Sequence, residues 1–331
     1  MKPTVLFFCL GTLVPAFAQS AAVLAGSGYS APAPLLVAPG QVTTLFFRGI
    51  QAGSGGQLRD AQAGGAPLPT LLAGLSLHIV QPQIADVRVP IFAVRQENEC
   101  PDSSNGSSNC LLTSVKVQIP SSISAEVSGR GSPGTGTLAL APLANLLVEI
   151  DGQAARAYPV QPIPDNAHVL TTCDLSWDTA STSVCNRQAY HADGRLVSVA
   201  APAAKGETIV VYAYGLGLPS FDVPAGKLSP EGAFLADVNT RVKASFIPFL
   251  NTVSSVPRLF LANQNNLPSA PIAFGGLTPG QIGLYQLNIP IPQSLAPDQP
   301  CGAFDEFVKS NIQLLITTTQ GTEGIGICVQ P

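Results

Sequence analysis

Apolar and polar residues alternate in short runs along almost the whole chain, with the two-residue period of strands that bury one face. Val42-Thr-Thr-Leu-Phe-Phe47, Leu75-Ser-Leu-His-Ile-Val80, Val115-Lys-Val-Gln-Ile119 and Leu146-Leu-Val-Glu-Ile150 are rich in β-branched and aromatic residues, and Gly, Pro, Ser or Asn bounds each. The second half continues in the same style with Thr208-Ile-Val-Val-Tyr-Ala-Tyr214, Val238 to Ile247, Ile282-Gly-Leu-Tyr-Gln-Leu-Asn-Ile289 and Ile312 to Thr318. No window shows a sustained helical stripe with caps. Each short strand must bury its apolar face against a second sheet, so the pattern predicts an all-β chain of sandwiches.

The halves of the chain echo one another. Ala38-Pro-Gly-Gln-Val-Thr-Thr-Leu-Phe-Phe-Arg-Gly49 is answered by Ala204-Lys-Gly-Glu-Thr-Ile-Val-Val-Tyr-Ala-Tyr-Gly215, Val115–Pro120 by Leu284–Pro290, and Leu146–Gly152 by Ile312–Gly321. Three correspondences in one order, offset by about 165 residues, predict two related sandwich modules in tandem, at 19–160 and 204–331. Residues 161–203 read as the joint, with Pro162, Pro164, a cysteine pair and a hairpin turn at Asp193-Gly194. The repeated glycines have a mechanical reading: a Pro-Gly or Lys-Gly pair turns the chain into a strand, and glycine after it takes positive φ. Gly215-Leu-Gly217 lacks the third glycine and the following helix of a nucleotide loop.

The first residues address the chain for export. Lys2 precedes an apolar run from Val5 to Val14 and then Pro15-Ala-Phe-Ala18, so residues 1–18 read as a signal peptide and the mature chain as starting at Gln19. No apolar run reaches the roughly 18–20 residues that a membrane span needs. Cys9 lies inside the signal, where Phe7 and Phe8 occupy positions that a lipid-attachment site fills with small residues. Cys100, Cys110, Cys173, Cys185, Cys301 and Cys328 remain, an even set that reads as disulfides in an oxidising compartment. Six cysteines allow about fifteen pairings. The economical one is 100–110, 173–185 and 301–328, because the first two pairs each bracket a polar, loop-like insert. Zinc sites favour close Cys-x-x-Cys pairs with histidine partners, a spacing these cysteines lack, so no metal is expected.

Composition removes further classes. The chain is 46% hydrophobic and 11% charged, with a net charge of −4, and its 16 Lys and Arg residues are scattered, so a nucleic-acid partner is not expected. With 31 Gly and 30 Pro in 331 residues, these two types fall below the roughly 25–30% that marks disorder and suit short strands with many turns. For catalysis the chain offers His78, His168 and His191, with Asp174, Asp178, Glu207, Glu231, Asp305 and Glu306 as carboxylates, but no Gly-x-Ser-x-Gly elbow. Asp102, Asn105 and Asn109 hint at calcium, yet Ser107 stands where an EF-hand loop needs glycine. Trp177, the single tryptophan, lies in the second cysteine loop between Asp174 and Asp178. Buried, it would plug a sandwich end; exposed, it would be the best anchor for a partner.

Taken together, Ala38-Pro-Gly-Gln-Val, Pro67-Leu-Pro-Thr-Leu-Leu-Ala-Gly-Leu-Ser-Leu77, Gly206-Glu-Thr-Ile-Val-Val-Tyr-Ala-Tyr-Gly-Leu-Gly217 and Gly276-Leu-Thr-Pro-Gly-Gln-Ile-Gly-Leu-Tyr-Gln-Leu-Asn-Ile-Pro290 carry a resemblance. In these strings the chain resembles the uncharacterised domain family common at the C-termini of exported acidobacterial (Solibacter-type) proteins, and more distantly the IPT/TIG branch of immunoglobulin-like domains. That resemblance implies two tandem immunoglobulin-like β-sandwich modules but no catalytic residue. The chain departs from the pattern in its cysteine-bearing inserts and in the Ser/Gly-rich stretch from Ser121 to Gly136. The expectation is an exported, non-enzymatic binding or structural protein of the cell surface or envelope, without cofactor, whose partner is an unidentified protein or glycan. Its rival is an exported hydrolase with a carboxylate or His-carboxylate site.

Overall fold

The computed structural model describes residues 23–27, 34–52, 57–100, 110–125, 143–174, 185–247, 267–297, 300–302 and 310–331. The signal segment, Trp177, Asp178, Asp305, Glu306 and the interiors of the first two cysteine loops, with Asp102, Asn105, Ser107 and Asn109, lie outside these residues.

In the first half the strands are β1 (Val23–Ser27), β2 (Leu35–Val37), β3 (Val42–Arg48), β4 (Ala61–Gln62), β5 (Leu71–Leu72), β6 (Leu75–Gln81), β7 (Ala85–Arg88), β8 (Ile91–Asn98), β9 (Leu111–Gln118), β10 (Ala144–Ile150) and β11 (Gln153–Pro162). One sheet has the order β1-β3-β9-β8-β4; the other runs β2-β11-β10-β6-β5, with β7 also paired to β6. Every pairing is antiparallel except β2 with β11. Strand alternation puts Leu45, Phe47, Val115 and Val117 of the first sheet against Leu77, Ile79, Leu146 and Val148 of the second in one core. The β10–β11 hairpin closes through Asp151 and Gly152, both at positive φ (49° and 77°), the pair that a two-residue turn demands.

The second half comprises β12 (His168–Val169), β13 (Ala189–His191), β14 (Thr208–Tyr214), β15 (Lys243–Ile247), β16 (Ser269–Ala270), β17 (Phe274–Leu277), β18 (Tyr285–Pro290), β19 (Ile312–Thr317) and β20 (Thr322–Ile327). Its sheets run β12-β14-β18-β17, with β13 also on β14, and β16-β15-β19-β20. Ile209, Val211, Leu287 and Ile289 face Phe246, Leu314, Ile316 and Ile325 across a second core. The two strand orders match: β3-β9-β8 corresponds to β14-β18-β17, and β11-β10-β6-β7 to β20-β19-β15-β16. Even the parallel contact recurs, since Ala203 bridges Val329 as β2 bridges β11. This is the Greek-key order of immunoglobulin-like sandwiches. The three echoed sequence pairs fall on β3 and β14, β9 and β18, and β10 and β19, which hold the same places in the two sandwiches.

One stretch departs from the alternation reading. Val238 to Ile247 starts as a helical turn, α1 (Val238–Arg241), and only then becomes β15. Asp237 at φ 49° turns the chain, and Asn239 then bonds both the N–H and the C=O of Ile272, at 2.6 and 3.2 Å. Tertiary partners 33 residues away override the local pattern.

The cysteines pair as Cys100–Cys110, Cys173–Cys185 and Cys301–Cys328. The first closes the base of the loop that joins β8 to β9, where the N–H of Glu99 also bonds the Cys110 carbonyl at 2.8 Å. The second pins an insert that splits the edge strand of the second sandwich into β12 and β13, and the third ties the end of β20 to the approach of β19.

Candidate functional site

Residues 161–203 carry most of the chemistry. Asp165, 3% exposed, accepts bonds from the hydroxyl of Thr319 and the N–H of Gln320 in the second sandwich. Its neighbour Asn166 donates from its side-chain amide to the Leu36 carbonyl and Gln41 Oε1 in the first, both at 3.3 Å. Two consecutive residues thus bond opposite modules. Glycine at 215 and 217 is required by the same packing: a Cβ would fall 2.2 Å from the Asn166 carbonyl oxygen and 2.8 Å from that of Pro164. Gly215 and Gly217 thus make room for the joint.

Beside the joint the sandwiches share a seam. Lys116 of β9 sets Nζ 5.8 Å from the ring centres of both Phe92 on β8 and Tyr214 on β14, and donates to the main-chain oxygen of Asp174 at 3.5 Å. Burial lowers the Lys116 pKa against the opposing pull of Asp174. Burial also pushes the Tyr214 hydroxyl up to about 12, helped by the charge of Asp174. Gln118 Oε1 accepts from the Gly226 N–H at 2.6 Å, the Leu68 N–H donates to the Gly226 carbonyl at 2.8 Å, and Ser121 Oγ donates to Asp222 at 3.0 Å.

All three histidines face carboxylates, the contact on which the hydrolase reading depends. His168 Nε2 lies 2.9 Å from Asp174 Oδ2, which also accepts the N–H and hydroxyl of Thr171, each at 2.7 Å. Burial alone would raise the Asp174 pKa, but the bonds and charge from His168 and the bonds from Thr171 outweigh it and pull the carboxyl down to about 2. His191 bonds Glu207 through Nδ1 and the Ala201 carbonyl through Nε2. A carbonyl oxygen can only accept, so Nε2 donates to Ala201, and protonation of Nδ1 lets the ring donate to the Glu207 carboxylate as an imidazolium. Burial opposes that charge, while the Glu207 and Ala201 bonds raise the His191 pKa above its ordinary value. His78 stands between Asp86 and Glu149, at 3.6 and 3.8 Å, beyond hydrogen-bond range.

Among the described residues, none of these sets shows the relay of a hydroxyl nucleophile. That relay needs a hydroxyl bonded to imidazole and the imidazole to a carboxylate. Here the hydroxyls of Thr171 and Ser76 bond the carboxylates of Asp174 and Glu149 instead, and both nitrogens of His191 are occupied. Glu207 also caps a turn by accepting the Ala204 N–H at 2.8 Å. A shallow groove of about 270 Å³ lies along β4 and β8, lined by Asp60, Ala61, Gln62, Ala93, Val94 and Arg95. It falls just under the roughly 300–1,000 Å³ usual for small-molecule sites, and Asp60 is already bonded to the Gln96 N–H. The described residues include no cluster of three or more metal-ligating side chains. Among them, no helix is long and apolar enough to cross a membrane.

Sequence reasoning had singled out Asp174, Glu207 and the histidines, but not Phe92, Lys116, Tyr214, Asp165 or Asn166. Lys116 alternates with Val115 and Val117 as any solvent-facing lysine does, and its partners lie 58 and 98 residues further along the chain. No local pattern announces such a contact.

No family model and no curated protein matches the chain. Among solved structures it is similar to the adhesin InvE of Yersinia pseudotuberculosis, at 12% identity and a TM-score of 0.19, over 94% of this chain and 59% of that one. It is also similar to a structure titled BspA_C_mut, at 7% identity and a TM-score of 0.17, over 90% and 94% of the two chains. Likenesses at these scores say nothing about what the chain does.

Proposed function

We propose that the chain is an exported binding or structural protein of the cell surface or envelope, and that it works without catalysis. The observation that carries this reading is the use to which its polar side chains are put: Asp165, Asn166, Gln118 and Lys116 hold two sandwiches in one fixed relation. Three disulfides suit an oxidising compartment outside the cytoplasm. A rigid pair of sandwiches presents loops at fixed spacing, which is how such frameworks host recognition. The matching strand orders support an internal repeat of one module, and the quoted strings support kinship with the acidobacterial domain family. The partner is a protein or glycan of the envelope or extracellular space, with Trp177 the first residue to try as its anchor.

The test uses residues 19–331, immobilised and exposed to envelope extract. Saturable capture of one component in a fixed ratio is the expected result. Saturable turnover of glycoside, ester or peptide substrates that disappears in Asp174→Asn or Glu207→Gln would overturn the reading in favour of a hydrolase.

A further inference from the structure

Each disulfide closes a local loop, but their surroundings differ. Cys100–Cys110 lies among contacts of the first sandwich and Cys301–Cys328 among those of the second. Cys173–Cys185 closes the stem of the insert, where Thr171 bridges Arg187, the Thr172 N–H bonds the Asn186 carbonyl at 2.9 Å, and the Gln188 N–H bonds the Leu170 carbonyl at 3.2 Å. The residue after Cys173 is Asp174, and its two ends face different modules. Its carboxylate is held by His168 and Thr171 of the second sandwich, while its main-chain oxygen meets Lys116 of the first.

We propose that the Cys173–Cys185 bridge is an inter-module clamp, which keeps Asp174 against Lys116 and so fixes the two sandwiches to each other, and that stabilising the second sandwich is not its main task. Lys116 between Phe92 and Tyr214 is the catch on the other side. Without its bridge the stem keeps Thr171 and Arg187 buried at its base, but beyond them it is held by the Thr172–Asn186 bonds, at whose exposed end opening is easier than in a packed core. The catch would then disengage while both cores stay closed, because neither core includes Cys173, Cys185 or Lys116.

Amide hydrogen exchange on the full chain reads this directly, since the seam has its own reporters. The N–H groups of Leu68, Asn166 and Gly226 bond across or beside the seam, to Gly226, Gly215 and Gln118, whereas those of Leu146 and Leu287 belong to core strands. In Cys173→Ser/Cys185→Ser the seam amides should exchange on the order of tenfold faster with the core amides unchanged. Unchanged seam amides, or equal acceleration of Leu287, would overturn the clamp. Lys116→Met provides a second route that leaves every disulfide in place: it should accelerate the same seam amides and spare the cores. Adding it to the serine pair should then change little, and full additivity of the two effects would show that bridge and lysine act separately.

Discussion

The two sandwiches share a strand order and differ at one edge. In the first, the edge strand β1 runs uninterrupted beside β3, pairing residue by residue apart from one bulge. In the second, the equivalent edge beside β14 is built from β12 and β13, with the disulfide-closed insert between them. The inner strands keep their places because each must satisfy two neighbours and a core, while an edge strand answers to one neighbour only. The extra chain at the second edge is what reaches across to Lys116. The difference therefore sets the base of an insert in contact with the other module.

The largest effect should come from breaking a buried support of the interrupted edge. Arg187, just after the insert, forms an ion pair with Glu323 on β20, and both side chains are about 95% or more buried. Arg187→Met would leave Glu323 buried without its counter-charge, a loss of about 3–5 kcal/mol. Denaturant unfolding should register it, and a variant as stable as the parent would mean that the second edge does not depend on this pair.

A symmetric pair of changes compares the cores. Leu146 on β10 and Leu314 on β19 are 1% and 0% exposed, and shortening either to alanine should cost about 2–5 kcal/mol. With the seam intact, both variants should lower one shared melting transition. Two transitions, each moved by one variant only, would show that the sandwiches unfold independently and would break the picture of a rigid pair.

A third test separates the seam from the cores by pH. The folded Asp174 carboxyl has its pKa depressed from 3.8 to about 2, so its contribution is present above pH 3.8 and is lost as pH falls towards 2. The shift corresponds to on the order of 2 kcal/mol. Seam amides should lose protection in that window, and Asp174→Asn should abolish the acid-dependent step. A step that survives the substitution would place the acid sensitivity elsewhere.

These contrasts also mark what the sequence could reveal. Alternation at Val115–Ile119 or Leu146–Ile150 reports burial of one face, and that is a local property, so the strands and the sandwich class were readable. The first two cysteine pairs were readable because each bracketed a stretch of loop-like composition, and the third was the pair that remained. The helical turn at Val238 was hidden because its cause is Asn239 reaching Ile272. The seam was hidden for a related reason: Lys116, Phe92 and Tyr214 look like ordinary outward residues of their own strands, and only the docking of one module on the other turns them inward. The histidines were visible as candidates, but their roles depended on which atom of each carboxylate neighbour was already taken.

The smallest effect belongs to His191, and it distinguishes the two edges most finely, because no histidine serves the first edge in this way. Its imidazolium joins β13 to the turn at Ala201 and to Glu207, and its pKa is raised above 6.5 by those bonds despite the opposing effect of burial. A raised folded pKa means that the clasp contributes fully below pH 6.5 and that its contribution fades as pH climbs through the folded value. His191→Gln keeps a hydrogen-bonding side chain but cannot carry the charge. The melting temperatures of parent and variant should differ most in mildly acidic buffer and converge as pH rises. A difference that is constant with pH would mean that His191 acts through packing alone, and the second edge would then owe nothing to its charge.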